Sequence, residues 1–343
     1  MPKVIQYDTI VLLGRFQPFH LGHQTVIRKA LSQASQVLIL CGSAFQPRSL
    51  RNPWNFQERE EMIRGSFTRS DNQRLIVKPV IDVIYNNNLW RQNINKIVAE
   101  TTMQKPGSIG FITSEKPSSY DYGKLFSAWK IIELQCKPNI NATSIRKGLF
   151  AKPFKFAEIA RLLPANVKDF LEKFSTHEDC LYLRKEQDYY TKYWASWECA
   201  PFPYTQVTAD ALVTHHDKIL MVRRGIIPGR GQVSFPGGFI EPREHLADAC
   251  IRELCEETNI RIPKEVLHNS IKDARVFSDP YRAARGRIIT HSFHISLDPS
   301  MKQPRVDGGD DAKAAFWVPI SDVDPSQVFE DHYFVMQNMF GIL

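Results

Sequence analysis

The 343-residue sequence lacks the features that mark several common classes of protein. No apolar run approaches the length of a membrane span, and the opening residues, MPKVIQYDTI, lack the layout of a signal peptide. The cysteines are scattered and include no CxxC pair, which argues against a zinc site and a disulfide framework. We therefore expect a cytoplasmic protein with reduced thiols and no membrane partner. The six cysteines are Cys41, Cys136, Cys180, Cys199, Cys250 and Cys255.

The sequence also has no long run of charge of one sign. Its formal net charge is +7, yet no five or six like charges stand together and no nucleic-acid-binding signature is present. We therefore expect no nucleic-acid partner. The excess positive charge is better suited to pockets for small substrates that carry phosphate.

What the sequence does contain is a regular alternation of strand and helix patterns in its first half. This alternation predicts an α/β fold with a doubly wound, Rossmann-like parallel sheet, which binds ligands at the carboxyl ends of its strands. The predicted strands are Thr9–Leu13, Val37–Cys41, Leu75–Val80, Ile109–Thr113 and Lys130–Cys136. The predicted helices are Leu21–Ser35, Phe56–Phe67 and Leu89–Thr102, with one or two more within Phe154–Phe174.

The length is too great for one ordinary core and predicts more than one domain. We place the first domain at residues 1–178, a polar and aromatic linker segment at 179–200, and a second domain at 201–343. The second domain combines strands at Val207–Val213, Lys218–Arg223 and Arg287–Ile295 with a strong helix between them. This order predicts an α+β domain.

Two histidines stand three residues apart in the stretch GRFQPFHLGH, which follows the first predicted strand. The spacing places the imidazoles of His20 and His23 on the same side of a turn or helix start. A helix beginning near Leu21 would direct amide donors and its positive dipole end toward the same space. Gly14 permits close approach of the backbone, and Gly22 leaves room between the rings. The stretch suits a polyphosphate, although an isolated HxGH would more simply be two partly buried structural histidines.

A second helix start follows in INATSIRKGLF, residues 140–150. Thr143 is the predicted N-cap, Ser144 lies in the first turn, and Arg146 would project from that turn. Hydroxyls, helix amides and a fixed cation would form a second phosphate cradle. An ordinary capped helix is the alternative.

Together, the first strand, GRFQPFHLGH and the later INATSIR resemble the HxGH nucleotidyltransferases, whose second motif usually reads ISSTxxR. The full GRFQPFHLGH, with RNPWNFQERE at 51–60 and DVIYNNNLW at 82–90, is similar to the archaeal type of nicotinamide mononucleotide (NMN) adenylyltransferase. The resemblance covers the first half of the chain. Asn141 and Ala142 replace the two serines, but Thr143 and Arg146 remain, so we expect phosphate binding to be retained.

The resemblance implies in-line transfer of AMP from ATP to NMN, which gives NAD and pyrophosphate. His20 and His23 would contact the phosphates of ATP, Arg146 would hold the departing phosphates, and Mg²⁺ would bridge phosphate oxygens. Stacking of Trp90 on the nicotinamide ring competes with a core or surface role, and another acceptor, such as nicotinic acid mononucleotide, stays open. The implied substrate-binding residues are Gly14, Arg15, Phe16, Asp82, Trp90, Thr143 and Ser144.

An acidic helix face is predicted within GGFIEPREHLADACIRELCEETNI, residues 237–260. Glu253, Glu256 and Glu257 stand at i, i+3 and i+4, which places them on one face. Like charges at such short distances destabilise the fold unless a divalent cation offsets them. Arg252 can also pair with Glu256 at i, i+4. A solvated, charged helix face is the alternative.

Counted from Gly238, this spacing resembles the Nudix box, Gx5Ex7REUxEExGU, in which U is bulky and aliphatic. Asn259 stands where glycine is usual, and asparagine also tolerates the left-handed conformation that ends a helix. Glu244 would support the loop and helix through Arg252. The resemblance implies a Nudix domain over 201–343 in which Mg²⁺ or Mn²⁺ activates water. The implied metal ligands are Glu253, Glu256 and Glu257.

The segment VFSDPYRAARGRIITHSF, residues 276–293, holds Arg282, Arg285 and Arg287. Similar segments occur in ADP-ribose pyrophosphatases fused to the adenylyltransferases above, and the layout of the whole chain resembles that fusion. The resemblance implies hydrolysis of ADP-ribose to AMP and ribose 5-phosphate, with Arg282 and Arg287 binding substrate. Solvated loop arginines, a non-catalytic ligand sensor and another nucleoside diphosphate substrate are the alternatives. The sequence leaves open whether the chain forms a homo-oligomer.

Overall fold

The computed structural model describes residues 5–102, 109–114, 126, 128–134 and 140–341. The chain divides into two compact units, Met1–Lys185 and Glu186–Leu343. This division falls inside one helix, Glu178–Trp197. The domain boundaries drawn from the sequence, at 178 and 201, stay predictions. Within the described ranges, no helix combines the length and apolar character needed to cross a membrane.

Unit 1 contains a five-stranded sheet in the order β3-β2-β1-β4-β5, in which every pair of neighbours is parallel. Its strands are β1 (Tyr7–Gly14), β2 (Ala34–Cys41), β3 (Leu75–Pro79), β4 (Ile109–Ser114) and β5 (Lys130–Leu134). Its helices are α1 (Leu21–Leu31), α2 (Phe56–Arg64), α3 (Arg69–Asn72), α4 (Asn87–Thr102), α5 (Ala142–Phe150), α6 (Phe156–Ala160) and α7 (Ala165–Phe174), and α8 (Glu178–Trp197) begins in it.

The two faces of this sheet pack against different helices. On β1, Ile10 belongs to a core cluster that includes residues of α1, α2 and α5, whereas its neighbour Val11 belongs to a second cluster with Ile94 and Val98 of α4. Successive side chains of a strand point to opposite faces, so a strand with helices on both sides must be apolar throughout. The predicted doubly wound parallel sheet is thereby confirmed.

Several boundaries in unit 1 differ from the prediction by a few residues, most at the end of α1. The helix expected over Leu21–Ser35 ends at Leu31, and β2 already begins at Ala34. Arg74 accounts for the early stop, because its guanidinium donates to the carbonyls of Leu31, Ala34 and Ser35 and so holds a turn there. The strand expected to reach Cys136 is described as far as Leu134, and Cys136 itself lies outside the described residues.

Unit 2 is built on a mixed sheet with the main order β10-β11-β6-β7-β12, to which β8 adds beside β7 and β9 beside β6. The α+β prediction is confirmed. The strands are β6 (Gln206–His215), β7 (Lys218–Arg224), β8 (Val233–Ser234), β9 (Gly237–Phe239), β10 (Ile271–Phe277), β11 (Ile288–Ser296) and β12 (Ala312–Pro319). The helices are α9 (Leu246–Thr258), α10 (Lys264–Asn269) and α11 (His332–Phe340), with 3-10 turns at Ile320–Asp322 and Pro325–Gln327.

Helix α9 packs its apolar side on the centre of this sheet. Ile251 and Leu254 are fully buried in one cluster with Ala209 and Ala211 of β6. The small alanines let the helix approach the strand closely, and the opposite side of α9 is left to its charged residues. The helix ends at Asn259, which has φ 49° and ψ 27° in the left-handed region, as expected from the sequence.

Two candidate active sites

The first site lies where β1 ends and α1 begins. His20 is the N-cap of α1, and its Nδ1 accepts a hydrogen bond from the backbone N–H of His23 at 3.3 Å. The two imidazoles are stacked, with ring centroids 3.6 Å apart and an interplanar angle of 16°. A Cβ on Gly22 would lie 3.1 Å from the His20 ring. Glycine at this position therefore gives that ring its room.

Burial keeps both imidazoles uncharged. It lowers the pKa of His20 to about 4, and burial together with the nearby His20 lowers the pKa of His23 well below its ordinary value. Because Nδ1 of neutral His20 accepts a hydrogen bond, its proton resides on Nε2, which is left as a donor. Nδ1 of His23 is buried and has no hydrogen-bond partner. The pair thus offers polar groups without fixed charge.

Arg146 turns inward rather than projecting from its helix. Its guanidinium donates to the carbonyls of Gln17 (2.6 Å) and Leu50 (3.1 Å) and to the Thr143 hydroxyl (3.2 Å). Burial, followed by the charges of Arg15 and Arg51, lowers its pKa to about 10. Arg146 therefore connects α5 to the loop that carries the two histidines.

The prediction that Thr143 caps α5 is wrong. Asn141 is the N-cap, and its side-chain oxygen accepts from the backbone N–H of Thr143 at 2.9 Å. Asparagine caps helices at least as well as threonine, so the helix begins at the earlier of two competent residues. Thr143 and Ser144 consequently lie in the first turn, with Ser144 exposed.

Arg15 and Asp82 lie at the same edge of the sheet. Nη1 of Arg15 is buried without a hydrogen-bond partner, and burial with the charge of Arg51 lowers the pKa of Arg15 to about 10. Asp82 accepts from the backbone N–H of Ser43 (3.1 Å), from its hydroxyl (2.5 Å) and from the amide of Gln46 (3.1 Å). Asp82 thus orders the loop after β2.

The two aromatic residues expected to bind substrate differ in their surroundings. Phe16 is buried, has φ 51°, and lies edge-on to the His23 ring at 4.8 Å. A Cβ on Gly14 would lie 3.1 Å from the Phe16 ring, so this glycine accommodates the aromatic side chain. Trp90 is half-buried, 6.2 Å from the ring of Phe126, and packs against the core cluster of α4.

One organising residue of this site was missed in the sequence. Arg59 of α2 is fully buried and donates to the carbonyls of Arg15 (2.8 Å), Gly42 (2.7 Å) and Ser43 (3.2 Å). It thereby joins the loops that follow β1 and β2. A charged residue in an amphipathic helix is expected on the exposed face, so the sequence gave no signal of this role. Burial of such a charge is rare.

The second site lies on the charged side of α9, where Arg252 gathers three glutamates. Its guanidinium makes two hydrogen bonds to Glu244 (2.9 and 3.0 Å), one to Glu253 (2.8 Å) and one to Glu256 (3.0 Å). It also donates to the carbonyl of Phe239 at 3.1 Å. The predicted pair with Glu256 is present, and Glu244 supports the loop through Arg252 as expected.

Glu257 is the most buried of the three glutamates of the predicted acidic face. Its Oε2 accepts from the backbone N–H of Gly237 at 3.1 Å, and burial raises its pKa to about 8. The carboxylate of Glu253 lies against Gly238, where a Cβ would be 2.5 Å from Oε1. Burial also raises the pKa of Glu253. The two glycines therefore let a strand approach a pair of buried carboxyl groups.

A buried acid behind this pair was also missed. Asp210 of β6 accepts from the hydroxyl of Thr290 at 2.6 Å, and a Cβ on Gly237 would lie 2.5 Å from its Oδ1. Burial raises its pKa. In sequence, Asp210 stands within an otherwise apolar strand, and that interruption was the available signal.

The geometry fits a divalent cation at Glu253 and Glu257. Across the described ranges, no group of three or more His, Cys, Asp or Glu side chains is placed to hold a metal ion. Glu256 does not complete such a group, because it is half exposed and pairs with Arg252. Two close buried carboxyl groups still favour a cation, because a positive charge would restore the ionised form that burial opposes. Substrate phosphate and water oxygens would supply the other ligands.

The three arginines after β10 have separate partners. Arg282 makes two hydrogen bonds of 2.9 Å to Asp331, and both side chains are almost fully buried. Arg287 donates to the carbonyl of Ser278 at 2.6 Å. Arg285 lies 3.8 Å from the nearest oxygen of Glu330. Arg282 therefore anchors the loop to α11, which the sequence did not indicate.

The fold and the two sites define a protein with one site of buried imidazoles and arginines at a parallel-sheet edge and one acidic site on a helix. Residues 11–148 match the family model described as cytidylyltransferase-like, and residues 204–339 match that of the NUDIX domain. The chain is 34% identical over 185 residues to a nicotinamide/nicotinic acid mononucleotide adenylyltransferase of Acinetobacter baylyi, which covers 54% of this chain and 94% of that protein. It is 31% identical over 134 residues to an ADP-ribose pyrophosphatase of Methanocaldococcus jannaschii, 39% of this chain and 72% of that protein.

A solved structure from Francisella tularensis, described as a bifunctional NMN adenylyltransferase/ADP-ribose pyrophosphatase, is similar over 98% of this chain and 99% of its own. The identity is 33% and the TM-score 0.91. A second structure of this description, with AMP and a manganese ion, has a TM-score of 0.88. The chain belongs to this family of bifunctional NMN adenylyltransferase/ADP-ribose pyrophosphatases, as the motifs predicted.

Proposed function

We propose that unit 1 transfers AMP from ATP to NMN, which gives NAD and pyrophosphate, and that unit 2 hydrolyses ADP-ribose to AMP and ribose 5-phosphate. The observation that carries the proposal is the presence in one chain of two buried polar sites of opposite chemical character. Donor groups line the first, and paired carboxyl groups line the second. ATP and ADP-ribose both contain adenosine phosphates, which either kind of site can recognise.

In unit 1, the residues position the phosphates of ATP and NMN and stabilise the negative charge that passes to the departing pyrophosphate. His20 donates from Nε2 to a phosphate oxygen of ATP, whereas the amides of Leu21 and His23 at the start of α1 already donate to the carbonyl of Leu162 and to Nδ1 of His20. Arg15, with a buried nitrogen that has no partner, supplies a cation. Arg146 braces the loop and offers its remaining donor capacity to the departing pyrophosphate. Preorganised donors of this kind lower the barrier without a nucleophilic side chain.

The binding of ATP changes the charge state expected for the histidines. Both are neutral in the protein alone, because burial lowers the pKa of each. A polyphosphate anion nearby favours the protonated form and raises these pKa values again. The site therefore gains positive charge only when its anionic substrate is present.

In unit 2, Glu253 and Glu257 hold the metal, and Glu256, which pairs with Arg252, orients water. A bound Mg²⁺ or Mn²⁺ would polarise the diphosphate and activate water. Arg252 fixes Glu253 and Glu256 on the correct side of α9, and the Gly237 amide orients Glu257. Of the three carboxyl groups, Glu257 has no hydrogen bond from Arg252. Its carboxyl group is therefore suited to bind a cation.

A second acceptor deserves a direct comparison with NMN. The Acinetobacter baylyi relative is described as acting on both nicotinamide and nicotinic acid mononucleotide. Asp82 is committed to Ser43 and Gln46, and Trp90 packs at the core cluster of α4, so neither contact selects one base. We propose NMN as the preferred acceptor because DVIYNNNLW resembles the NMN enzymes.

The decisive experiment is a chromatographic assay of the purified full-length protein. One reaction contains Mg²⁺, ATP and NMN, a second replaces NMN by nicotinic acid mononucleotide, and a third contains Mg²⁺ and ADP-ribose. NAD in the first and AMP in the third are the expected products, and EDTA should abolish both. NAD without AMP would make unit 2 a ligand sensor or direct it to another nucleoside diphosphate.

A further inference from the structure

We propose that Arg285, rather than Arg282 or Arg287, is the arginine of its segment that binds the diphosphate of the substrate in unit 2. The inference rests on the proposed function, since it names the residue that would hold the only anionic group of ADP-ribose. It depends on the partners of the three guanidinium groups and on the contact of Arg285 with Phe239 of β9.

Two of the three arginines are already committed. Arg282 is fixed by two hydrogen bonds to Asp331, and the side chains are only 4% and 1% exposed. A substrate anion could reach Arg282 only by breaking a buried ion pair, which is costly. Arg287 is tied by a 2.6 Å hydrogen bond to the carbonyl of Ser278.

Arg285 is held by its backbone, while its guanidinium is incompletely bonded. Its carbonyl accepts from the indole N–H of Trp194 at 3.1 Å, and the neighbouring amide of Ala284 donates to Glu330 at 3.2 Å. In contrast, Nη2 is 3.8 Å from Glu330, beyond hydrogen-bond distance, and the buried Nε has no partner. A buried donor without an acceptor is a site that a ligand oxygen can fill.

The guanidinium also lies near strand β9, whose glycines touch the acidic pair. It sits 5.4 Å from the ring centroid of Phe239, the residue that follows the glycines touching Glu253 and Glu257. We therefore expect a phosphate held by a metal at those carboxyl groups to lie within reach of this guanidinium. Arg282 lacks this position, because its guanidinium is directed to α11.

A second cation makes an anion more favourable here. Arg224 of β7 lies with its guanidinium 4.2 Å from the ring of Phe329, and burial followed by the charge of Arg285 lowers its pKa. Glu330 nearby is buried, and its pKa is raised. Two half-desolvated cations that repel each other gain from an anion between them, and arginine is suited to phosphate because its fork can donate twice.

The test measures ADP-ribose binding and hydrolysis in Arg285→Gln, Arg285→Lys and Arg287→Gln. Arg275→Gln is the matched control, because Arg275 of the edge strand β10 is exposed and bonds to Asp273 of the same strand and to Asn338 of α11. Calorimetry with ADP-ribose in EDTA gives Kd without the metal, and steady-state assays with Mg²⁺ give KM and kcat. Adenylyl transfer and the thermal midpoint report whether each variant is folded.

Loss of one charge-assisted contact should raise Kd and KM of Arg285→Gln about ten- to hundredfold, with kcat within about twofold. Arg285→Lys should recover part of the loss, since it keeps the charge but not the fork. Arg275→Gln should match the wild type. A destabilised Arg285→Gln with unchanged Kd and KM would make Arg285 only a structural partner of Glu330 and overturn the assignment.

A loss confined to Arg287→Gln would also overturn it. Wild-type protein that binds ADP-ribose without hydrolysing it would contradict the proposed hydrolysis, yet weaker binding by Arg285→Gln would still support the assignment. Wild-type protein that neither binds nor hydrolyses ADP-ribose would overturn both.

Discussion

The two proposed phosphate sites differ in their buried titratable groups, which are basic in unit 1 and acidic in unit 2. In unit 1, burial removes charge from His20 and His23 by lowering the pKa of each. In unit 2, burial favours the neutral form of Glu257 by raising its pKa to about 8. Unit 1 can accept an anion directly, whereas unit 2 first needs a cation. The difference shows that desolvation leaves each site short of the charge that its ligand restores.

The largest expected effect is the loss of hydrolysis, without loss of NAD formation, when one residue of the acidic pair is changed. Glu257→Gln should lower ADP-ribose hydrolysis about 10²- to 10³-fold, because it removes a metal ligand while nearly keeping the side-chain volume. NAD formation should stay at the wild-type rate. Initial rates of both reactions on the same preparation measure this, with Glu265→Gln on the exposed side of α10 as the control. Wild-type hydrolysis by Glu257→Gln would remove this residue from the metal site.

The reciprocal change tests the donor site. His23→Ala should lower adenylyl transfer about 10²-fold, the usual cost of removing a preorganised donor, and should leave hydrolysis unchanged. The two assays above provide the measurement, and His177→Ala, at an exposed position, is the control. Loss of both activities in a protein that unfolds normally would contradict two independent sites.

A smaller effect concerns stability in acid. His20 binds a proton more readily when unfolded, because its folded pKa is lowered to about 4. The free energy of unfolding should therefore fall as the pH drops below about 6.5, by about 2 kcal/mol at about pH 5. His20→Asn keeps a good N-cap without the imidazole, so it should lose less stability over this range. Thermal midpoints at about pH 7.5 and about pH 5 test this, and His177→Asn should behave as the wild type does.

The smallest effect lies at the end of the acidic helix. Asn259→Ala should reduce the free energy of unfolding by about 1–2 kcal/mol, because alanine is strained in the left-handed region. The side chain also donates to the carbonyls of Asp307 and Gly308, at 3.3 and 3.2 Å. Asn259→Gly relieves the backbone but loses these bonds, so urea denaturation of both variants separates the two contributions. Equal stability of Asn259→Ala and wild type would mean that neither contributes.

Much of this arrangement was legible in the sequence. The alternation of strands and helices predicted the parallel sheet, because each strand buried on both faces must be apolar throughout. The left-handed Asn259 and the pair of Arg252 with Glu256 followed from local spacing alone. Such features depend on residues within one turn of each other, which periodicity reports directly.

What escaped prediction depends on contacts between distant residues. Arg146 was expected to project, yet it reaches the carbonyl of Gln17, 129 positions away. The pair of Arg282 with Asp331, 49 positions away, also carried no sequence signal, and substrate binding by Arg282 stays a prediction. Arg59 was overlooked because a single charged residue in an amphipathic helix carries no spacing signal. The N-cap at Asn141 was missed because two good capping residues stood close together.

The hydrogen bonds of Arg59 determine which part of unit 1 would lose its structure first if this residue were replaced. A single side chain ties together the carbonyls of Arg15, Gly42 and Ser43, so the rims of two neighbouring strands depend on it while the sheet itself does not. Lysine at this position would keep the charge but could not span the same acceptors. Such a protein would exchange amide hydrogens quickly in the loops after β1 and β2 and slowly in the strands. It would keep its fold but lose the arrangement of its active-site loops.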